Sequence, residues 1–285
     1  MEKWTIIKIL NWSQDFFKKY NIENPRLDAE ILLSHVMNMQ RFYLYVSHEQ
    51  ELNENQLAAY KALIKQRVNN VPVAYLVGYK EFMATKFDVS YDVLIPRPET
   101  ETLVDEVLTR LKKTTGELRI ADIGTGSGAI AVSIAKRIDN IIVDAVDISE
   151  KALKIAEQNA NNNKVADKIT FHIGDLLEPL NEMKFNAIIS NPPYIPTKVI
   201  DTLQPEVSKY EPRIALDGGA DGLNFYRRLI EDSPKFLVDG GFLAVEIGYD
   251  QAEAVTELLE ASKQFKNIKV IKDLSENDRV IIANV

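Results

Sequence analysis

Residues 118–129 read Leu-Arg-Ile-Ala-Asp-Ile-Gly-Thr-Gly-Ser-Gly-Ala. The first six residues predict a buried strand, and the glycines that follow alternate with small residues. Glycine lets the backbone turn sharply after the strand and lets a ligand approach the start of the next helix closely. This strand–loop–helix pattern therefore predicts an α/β domain that binds a nucleoside-containing cofactor.

The alternation of strands and helices continues from this stretch to the end of the chain. It predicts a parallel α/β sheet, because parallel neighbours need a crossover connection, which is usually a helix. The last two strands lack an intervening helix, so one strand must run antiparallel. The predicted strands are 118–123, 141–146, 168–173, 185–190, 241–247, 267–273 and 279–284, and the helices between them are 128–138, 149–163, 223–238 and 250–264.

Amphipathic helices are predicted for the N-terminal part of the chain. Apolar residues recur at helical spacing over residues 4–20, and Asn24-Pro25 predicts a second helix, with an N-cap followed by proline. Nothing in this part carries a catalytic pattern, so it serves either partner recognition or packing. We expect a helical domain over 1–72, a β-hairpin linker over 73–93 and the α/β domain over 94–285.

The composition of the 285 residues excludes several classes of function. Cysteine is absent, which excludes disulfides and thiolate metal sites and favours an intracellular protein. The three histidines are widely separated, so no metal site is predicted, and no apolar run reaches the length of a membrane span. Net charge is −8, but residues 1–80 hold ten basic and eight acidic residues, so the acidity lies in the remainder. An acidic α/β domain argues against tight, non-specific binding of nucleic acid.

The glycine loop and the end of the second strand predict where the cofactor binds. Asp147 follows Gly124 by 23 residues, where a carboxylate can bind a ribose diol. The cofactor itself stays open at this point, because the spacing of Gly124, Gly126 and Ala129 also satisfies the dinucleotide fingerprint. The predicted cofactor-binding residues here are Gly124, Thr125, Gly126, Ser127, Gly128 and Asp147.

The third strand ends in Gly174-Asp175-Leu176, at the edge of the sheet where an adenine would lie. Asp175 could accept a hydrogen bond from the exocyclic amine, and Leu176 could lie against the ring. Gly-Asp is also a common turn, so a purely structural role for this stretch stays open.

Residues 190–196 read Ser-Asn-Pro-Pro-Tyr-Ile-Pro, and they indicate the reaction. Two prolines end the fourth strand and form a rigid tip at the carboxyl edge of the sheet, where such proteins bind ligands. The side-chain carbonyl of Asn191 and the backbone carbonyl of Pro192 could hold both N–H groups of a planar nitrogen, while Tyr194 stacks on that group. Such a nitrogen is a poor nucleophile, so positioning it against a sulfonium methyl can supply most of the acceleration. The predicted catalytic residues are Asn191, Pro192 and Tyr194, and the predicted substrate-binding residues are Asn191, Pro192, Pro193 and Tyr194.

Four strings, in this order behind a helical domain, resemble the HemK/PrmC family of bacterial release-factor glutamine methyltransferases. They are LIPRPETE at 94–101, DIGTGSG at 122–128, NPPY at 191–194 and EPRIALDGGADGL at 211–223. The resemblance covers nearly the whole chain. It implies a class I S-adenosylmethionine-dependent methyltransferase with a Rossmann-like sheet, which releases S-adenosyl-L-homocysteine. It further implies that the acceptor is the amide nitrogen (N5) of the glutamine in the Gly-Gly-Gln motif of peptide chain release factors.

The resemblance also implies roles for particular positions. Asn191 would lie near the methionine part of the cofactor, and Leu176 stands where tryptophan can occur in the family, which weakens a stacking role. Arg97 and Glu99 would order the wall of the active site, with a plain internal ion pair as the alternative. The long segment 195–222 is predicted to lack regular structure and to cover the substrate. The residues expected to order it are Asp217, Gly218 and Gly219.

Three alternatives to release-factor methylation remain at the level of sequence. The tip would suit the exocyclic amine of adenine equally well, which would make the protein an N6-adenine-type nucleic-acid methyltransferase, although no basic patch with interleaved aromatic residues is visible. A nicotinamide-dependent oxidoreductase and a binding module without turnover are the other two. We expect a cytoplasmic monomer that acts on release factors, without stable nucleic-acid binding or membrane association.

Overall fold

Two units, each with its own hydrophobic core, form the chain in the computed structural model, which describes residues 3–114, 116–181 and 183–285. The smaller unit comprises Met1–Tyr79 and Gln204–Tyr210. The larger unit comprises Lys80–Leu203 and Glu211–Val285. The smaller unit therefore takes residues from two distant parts of the sequence.

Helices build the smaller unit around Tyr60, which is fully buried. The hydroxyl of Tyr60 donates to the carbonyl oxygen of Ala29 at 3.1 Å, so this polar group is satisfied inside the core. The fourth helix starts with a reciprocal capping box between Asn53 and Gln56, which pairs two otherwise free backbone N–H groups. The helices are α1 Ile6–Lys19, α2 Pro25–Met37, α3 Arg41–Val46, α4 Glu54–Arg67 and α5 Val73–Val77.

The prediction that segment 195–222 lacks regular structure was wrong. It contains two short helices, α9 Thr197–Ile200 and α10 Pro205–Tyr210, and α10 belongs to the helical unit. There the buried guanidinium of Arg67 donates to Asp28 at 2.7 Å and to Glu206 at 2.5 Å. These pairings are non-local, so hydrophobic periodicity along the chain could not reveal them.

The larger unit contains the predicted seven-stranded sheet, in the order β5-β4-β3-β6-β7-β9-β8. Strand β9 pairs antiparallel with both of its neighbours, and the other described pairings are parallel, which confirms the prediction of one antiparallel strand. A separate hairpin of β1 and β2 precedes the sheet. The strands are β1 Tyr79–Phe82, β2 Thr85–Asp88, β3 Leu118–Ile123, β4 Ile141–Asp147, β5 Ile169–Ile173, β6 Phe185–Ser190, β7 Leu237–Glu246, β8 Lys266–Lys272 and β9 Asp278–Asn284.

Apolar side chains on the two faces of the sheet form two cores. Ile120 and Ile189 face one core, while Ala121 and Ile188 face the other, as expected from alternation along a strand. The first core is covered by α6 Thr100–Leu111, α7 Ala129–Ala135 and α8 Glu150–Asn162, and the second by α11 Asn224–Asp232 and α12 Ala252–Ser262. The result is a three-layer α/β/α unit.

The strand order determines where a ligand can bind. Strand β3 lies between β4 and β6, so successive crossovers leave in opposite directions and open a crevice at the carboxyl ends of these strands. Within the described residues, no helix combines the length and the apolar character that crossing a membrane requires.

Candidate active site

A cleft with about 1000 Å³ of empty space, part of it open to solvent, lies at the carboxyl ends of β3, β4 and β6. This is the crevice where the strand order reverses. The predicted residues that line it are Gly124, Gly126, Asp147, Asp175, Leu176, Asn191, Pro192 and Pro193. The structure thus brings the predicted cofactor residues and most of the predicted acceptor tip into one cavity.

The glycines of the loop after β3 have different roles. Gly124, Gly126 and Gly128 have φ angles of +72°, +55° and +78°, which glycine adopts without strain. Gly124 and Gly126 line the cleft. Gly128 instead packs against α8, because a Cβ atom there would lie 3.1 Å from the Cβ of Ala156. Gly128 therefore shapes the loop and does not line the cleft.

Thr125 and Ser127 are buried and hold the loop from below. The hydroxyl of Thr125 donates to Asp122 Oδ2 at 2.6 Å, and the backbone N–H of Ala131 donates to the same oxygen at 3.1 Å. The side-chain amide of Asn159 donates to the carbonyl of Ser127 at 2.9 Å. These bonds fix the loop before any ligand binds.

Asp147 presents a carboxylate to the cleft. The N–H of Gly126 donates to Oδ2 at 2.8 Å, and the N–H of Ser149 donates to Oδ1 at 2.9 Å. Burial raises the pKa of Asp147, and these backbone N–H groups oppose that shift. Each carboxylate oxygen retains a second lone pair, so Asp147 can still accept from a ligand hydroxyl.

Asp175 lines the cleft but already has a partner in the protein. Both of its oxygens accept from the guanidinium of Arg228 on α11, at 3.1 and 2.8 Å. This bidentate pair orients the carboxylate and leaves one lone pair on each oxygen. The next residue, Leu176, has a φ of +50° and lines the cleft beside Asp175.

The tip after β6 is held by contacts with Thr100 and Glu246, which do not line the cleft. The side-chain N–H of Asn191 donates to Thr100 Oγ1 at 3.2 Å. The hydroxyl of Tyr194 points to Glu246 Oε1, 3.4 Å away, and burial together with the charge of Glu246 raises the pKa of this phenol. Tyr194 is not among the residues that line the cleft, so its hydroxyl anchors the ring and is not presented to a ligand.

Two glycines of the fourth string pack directly on the backbone of the tip. A Cβ atom on Gly218 would lie 2.8 Å from the carbonyl oxygen of Pro193, and one on Gly222 would overlap the carbonyl oxygen of Tyr194. The side chain of Gln251 donates to that same Tyr194 carbonyl at 3.0 Å and contacts the carbonyl of Gly222 at 3.3 Å. The segment 211–223 therefore packs directly against the backbone of the tip. Only glycine at positions 218 and 222 allows so close an approach.

Asp217 orders the turn that carries these glycines. Its Oδ1 atom accepts from the hydroxyl of Thr197 at 2.6 Å and from the N–H of Gly219 at 3.0 Å. The adjacent backbone forms a parallel bridge between Ile195 and Asp217. These contacts agree with the predicted role of Asp217 and Gly219 in ordering the segment 195–222.

Arg97 forms an ion pair, but its partner is Glu211 and not Glu99. The guanidinium of Arg97 donates to Glu211 Oε2 at 2.5 Å, and the N–H of Ile95 contacts the other oxygen at 3.4 Å. Glu211 is buried, so its charge is neutralised where water cannot screen it. The pair joins the first and fourth strings of the sequence pattern.

Several residues around the site were missed by sequence reasoning: Thr100, Phe225, Arg228, Glu246 and Gln251. One signal was available for Glu246, because it is the single charged residue in the otherwise apolar run 242–248. Burial raises the pKa of this glutamate to about 7, and the neighbouring hydroxyl of Thr100 opposes the shift. A lone acid inside a predicted core strand indicates either a buried network or a site.

Comparisons with known proteins agree with this geometry. Residues 8–78 match the family model described as the PrmC N-terminal domain, and residues 100–204 match the methyltransferase small domain. A solved structure of the hMettl16 catalytic domain, in complex with a MAT2A 3′UTR hairpin, covers 78% of this chain and 81% of its own at 15% identity and a TM-score of 0.58. At that identity the likeness shows the shared fold alone.

Curated relatives match over almost their full length. The release factor glutamine methyltransferase of Geobacter sulfurreducens is 41% identical, with 98% of this chain and 96% of the relative covered. The release factor glutamine methyltransferase of Rhodopirellula baltica is 43% identical, with 98% and 95% covered. Together with the cleft, these matches show that the chain belongs to the family of release factor glutamine methyltransferases, which use S-adenosylmethionine as the methyl donor.

Proposed function

We propose that the acceptor atom is the side-chain amide nitrogen of the glutamine in the Gly-Gly-Gln motif of peptide chain release factors. One observation supports this most strongly: Asn191 and Pro192 line the same cleft as Gly126 and Asp147. An acceptor held at the tip would therefore meet a cofactor held at the glycine loop. The release factor is inferred as the substrate from the names of the relatives. The planar nitrogen is inferred as the acceptor from the two carbonyl groups that the tip offers.

The residues of the cleft fit S-adenosylmethionine. Asp147 offers free lone pairs to ribose hydroxyls, and Asp175 offers them to the amine of adenine. Ile148 and Leu176 provide apolar wall beside these carboxylates. When bound, the cofactor supplies a methyl group on a sulfonium centre.

The tip of this chain positions the acceptor. The side-chain oxygen of Asn191 and the backbone carbonyl of Pro192 accept from the two N–H groups of the glutamine amide. Tyr194, which does not line the cleft, supports the tip from the core and does not stack on the amide. Holding the nitrogen at about 3–3.5 Å from its reaction partner can supply most of the rate enhancement. The amide becomes acidic only once it is methylated, so no general base is needed beforehand.

The direct test is methyl transfer from labelled S-adenosylmethionine to purified, unmodified release factor, beside a panel of RNA and DNA. We expect label on the release factor, and mass spectrometry should locate it on the glutamine of the Gly-Gly-Gln motif. Label in nucleic acid with none in the release factor would overturn the proposal and retain only the fold and the chemistry of the tip.

Asn191→Ala should abolish most of the methyl transfer while the protein remains folded. The loss of the amide removes one acceptor from the glutamine, and misplacement of a reacting atom can lower the rate by about 100-fold. Cofactor affinity should fall by no more than about 1–3 kcal/mol, the cost of one lost polar partner. Single-turnover kinetics and calorimetry measure the two effects, with Asn161→Ala on the exposed face of α8 as the matched control. Unchanged turnover in Asn191→Ala would contradict the role.

We further propose that the helical unit contributes to recognition of the intact release factor. Its match to the N-terminal domain model of this family supports the proposal. We propose that the protein acts as a monomer in the cytoplasm and forms no stable complex with nucleic acid or membranes. Analytical ultracentrifugation of the protein alone would measure its oligomeric state. The same measurement with release factor present would give the stoichiometry of the complex.

A further inference from the structure

The two prolines of the acceptor tip limit how its backbone can be held. Pro192 and Pro193 have no backbone N–H, so neither can donate a hydrogen bond to the rest of the protein. Donors from elsewhere must therefore hold the tip by its carbonyl groups. The carbonyl of Tyr194, directly after the prolines, accepts from the side chain of Gln251 at 3.0 Å.

The side-chain amide of Gln251 makes four polar contacts in a buried position, where the residue is 8% exposed. Its Nε2 atom donates to the carbonyl oxygen of Tyr194 and contacts that of Gly222 at 3.3 Å. Its Oε1 atom accepts from the backbone N–H of Gly248 at 2.9 Å, and the hydroxyl of Tyr226 lies 3.4 Å from the same oxygen. A primary amide has two N–H groups and two lone pairs, so these contacts use its full capacity.

The backbone around Gln251 determines which way its amide points. A backbone N–H can only donate and a backbone carbonyl can only accept. Oε1 must therefore face Gly248, and the NH₂ group must face Tyr194 and Gly222. The reversed amide would place an oxygen against two carbonyl oxygens and an NH₂ group against an N–H.

The two ends of this amide have different roles. The bond from the N–H of Gly248 to Oε1 spans three residues at the start of α12, and it resembles the bond of a capping box in which Glu or Gln accepts from an earlier backbone N–H. A glutamate could accept that local bond equally well. The contacts of Nε2 reach residues 57 and 29 positions away, and they need N–H groups that a glutamate lacks.

The close approach of Gly222 to the tip explains why two N–H groups are needed at one place. A Cβ atom on Gly222 would overlap the carbonyl oxygen of Tyr194, and Gly222 itself is buried. One NH₂ group can therefore contact the carbonyl oxygens of both residues. Without it these two acceptors would lose a shared donor in a place largely closed to water, which favours a displaced tip.

We propose that Gln251 is a positioning residue whose NH₂ group holds the tip so that the carbonyls of Asn191 and Pro192 face the acceptor nitrogen. The inference rests on the proposed function, because the transfer of a methyl group requires these carbonyls to keep one position. Gln251 does not line the cleft. It acts through the carbonyl of Tyr194, two residues after Pro192.

Gln251→Glu tests the role of the NH₂ group, because it keeps the length of the side chain and the acceptor for Gly248. In single-turnover methyl transfer, we expect the maximal rate to fall by about 10- to 100-fold. The cofactor Kd and the release-factor concentration at half-maximal rate should stay within about twofold. Gln264→Glu, at an exposed position after α12, is the matched control for the added charge and should transfer at the unaltered rate.

A second variant separates the missing NH₂ group from the added charge. Gln251→Met is neutral and also lacks the NH₂ group, so it should lose the rate as well. An unchanged rate in Gln251→Glu, or a loss that Gln251→Met does not share, would overturn the inference. A fall in cofactor affinity as large as the fall in rate would also overturn it, since Gln251 would then support the site as a whole.

Hydrogen exchange gives a readout that does not depend on turnover. The N–H of Ile195 donates to the carbonyl of Leu216 at 3.0 Å, and the N–H of Gly218 donates to the carbonyl of Ile195 at 2.9 Å. In Gln251→Glu both N–H groups should exchange at least about tenfold faster, while that of Ile189 within β6 should not change.

The exchange measurement also keeps this inference apart from the proposed function. Equal exchange at positions 195 and 218 in Gln251→Glu and the unaltered protein would show that Gln251 does not hold the tip. If exchange there rises as expected but the unaltered protein does not methylate release factor, the proposed function fails and the hold of Gln251 on the tip stands.

Discussion

Asp122 is a fully buried carboxyl group directly below the glycine loop. Its Oδ2 atom accepts from Thr125 and Ala131, but Oδ1 has no hydrogen-bond partner among the described residues. Burial therefore outweighs the two hydrogen bonds and raises the pKa to about 6. At neutral pH the carboxyl group of Asp122 is therefore charged, although burial favours its neutral form. Shifted pKa values of this kind are common at binding sites.

Asp122→Asn should change the pH dependence of stability in a defined direction. In the unfolded chain the acid ionises near 3.8, and in the folded protein it ionises near 6. The unaltered protein should therefore lose stability relative to Asp122→Asn as pH rises from about 4 to about 6, and the difference should stay constant above that. The change should reach up to about 3 kcal/mol, the equivalent of a shift of roughly two pKa units.

Urea unfolding of both proteins at several pH values measures this difference. Asp239→Asn, at an exposed position of β7, controls for the removal of one negative charge. A stability difference between Asp122→Asn and the unaltered protein that does not vary between pH 4 and about 7 would contradict the assignment.

At the scale of elements, the acceptor tip is held by the segment 211–223 and the start of α12. The closest approaches are made by the glycines at 218 and 222. The side chain of Gln251 binds the carbonyl oxygens of Tyr194 and Gly222 together. The geometry of the tip is therefore decided by backbone packing between parts of the chain that are distant in sequence.

Gly222→Ala should lower the rate of methyl transfer by a larger factor than its loss of folding stability alone would explain. Its new Cβ atom would overlap the carbonyl oxygen of Tyr194, so the tip must move, and a shift of about 1 Å can cost 100-fold in rate. Gly240→Ala is the matched control, since Gly240 has nearly the same φ, +77° against +79°, but a Cβ atom there would have no neighbour within 4 Å. Both variants should lose about 1 kcal/mol from backbone strain, and only Gly222→Ala should lose activity. Equal turnover in the two variants would show that the clamp does not set the geometry of the tip.

At the scale of the whole molecule, the helical unit exposes a group of large apolar side chains that are not part of its hydrophobic core. Phe42, Tyr43 and Val46 on the short helix α3 are 69%, 51% and 60% exposed. Exposed aromatic side chains in a group are typical of protein-binding surfaces. They form the best candidate surface for the recognition role proposed for this unit.

Phe42→Ser should raise KM for intact release factor by about tenfold, the effect of losing one well-packed aromatic contact. The kcat and the rate on a free peptide that contains the Gly-Gly-Gln motif should not change. Leu274→Ser, which alters a fully exposed apolar residue of the other unit, is the matched control. Equal KM values for Phe42→Ser and the unaltered enzyme would remove α3 from the recognition surface.

Much of the fold was predictable because its signals are local. The strand–loop–helix pattern, the glycine loop and the missing helix before the last strand each depend on neighbouring residues, and the sheet confirms all of them. The helix α10 was not predictable, because it is only six residues long and belongs to a unit whose other residues lie far away in sequence. Its place depends on Arg67, which contacts Glu206 across 139 positions.

The sequence by itself determined the type of fold, the position of the glycine loop and the position of the proline-rich tip after β6. These follow from backbone restrictions of glycine and proline and from hydrophobic periodicity, which act over a few residues. Only the tertiary structure decided that Arg97 pairs with Glu211, that Arg228 holds Asp175 and that Asn191 donates to Thr100. Hydrogen bonds and ion pairs depend on distance in space, and folding brings together groups whose separation along the chain carries no signal of that distance.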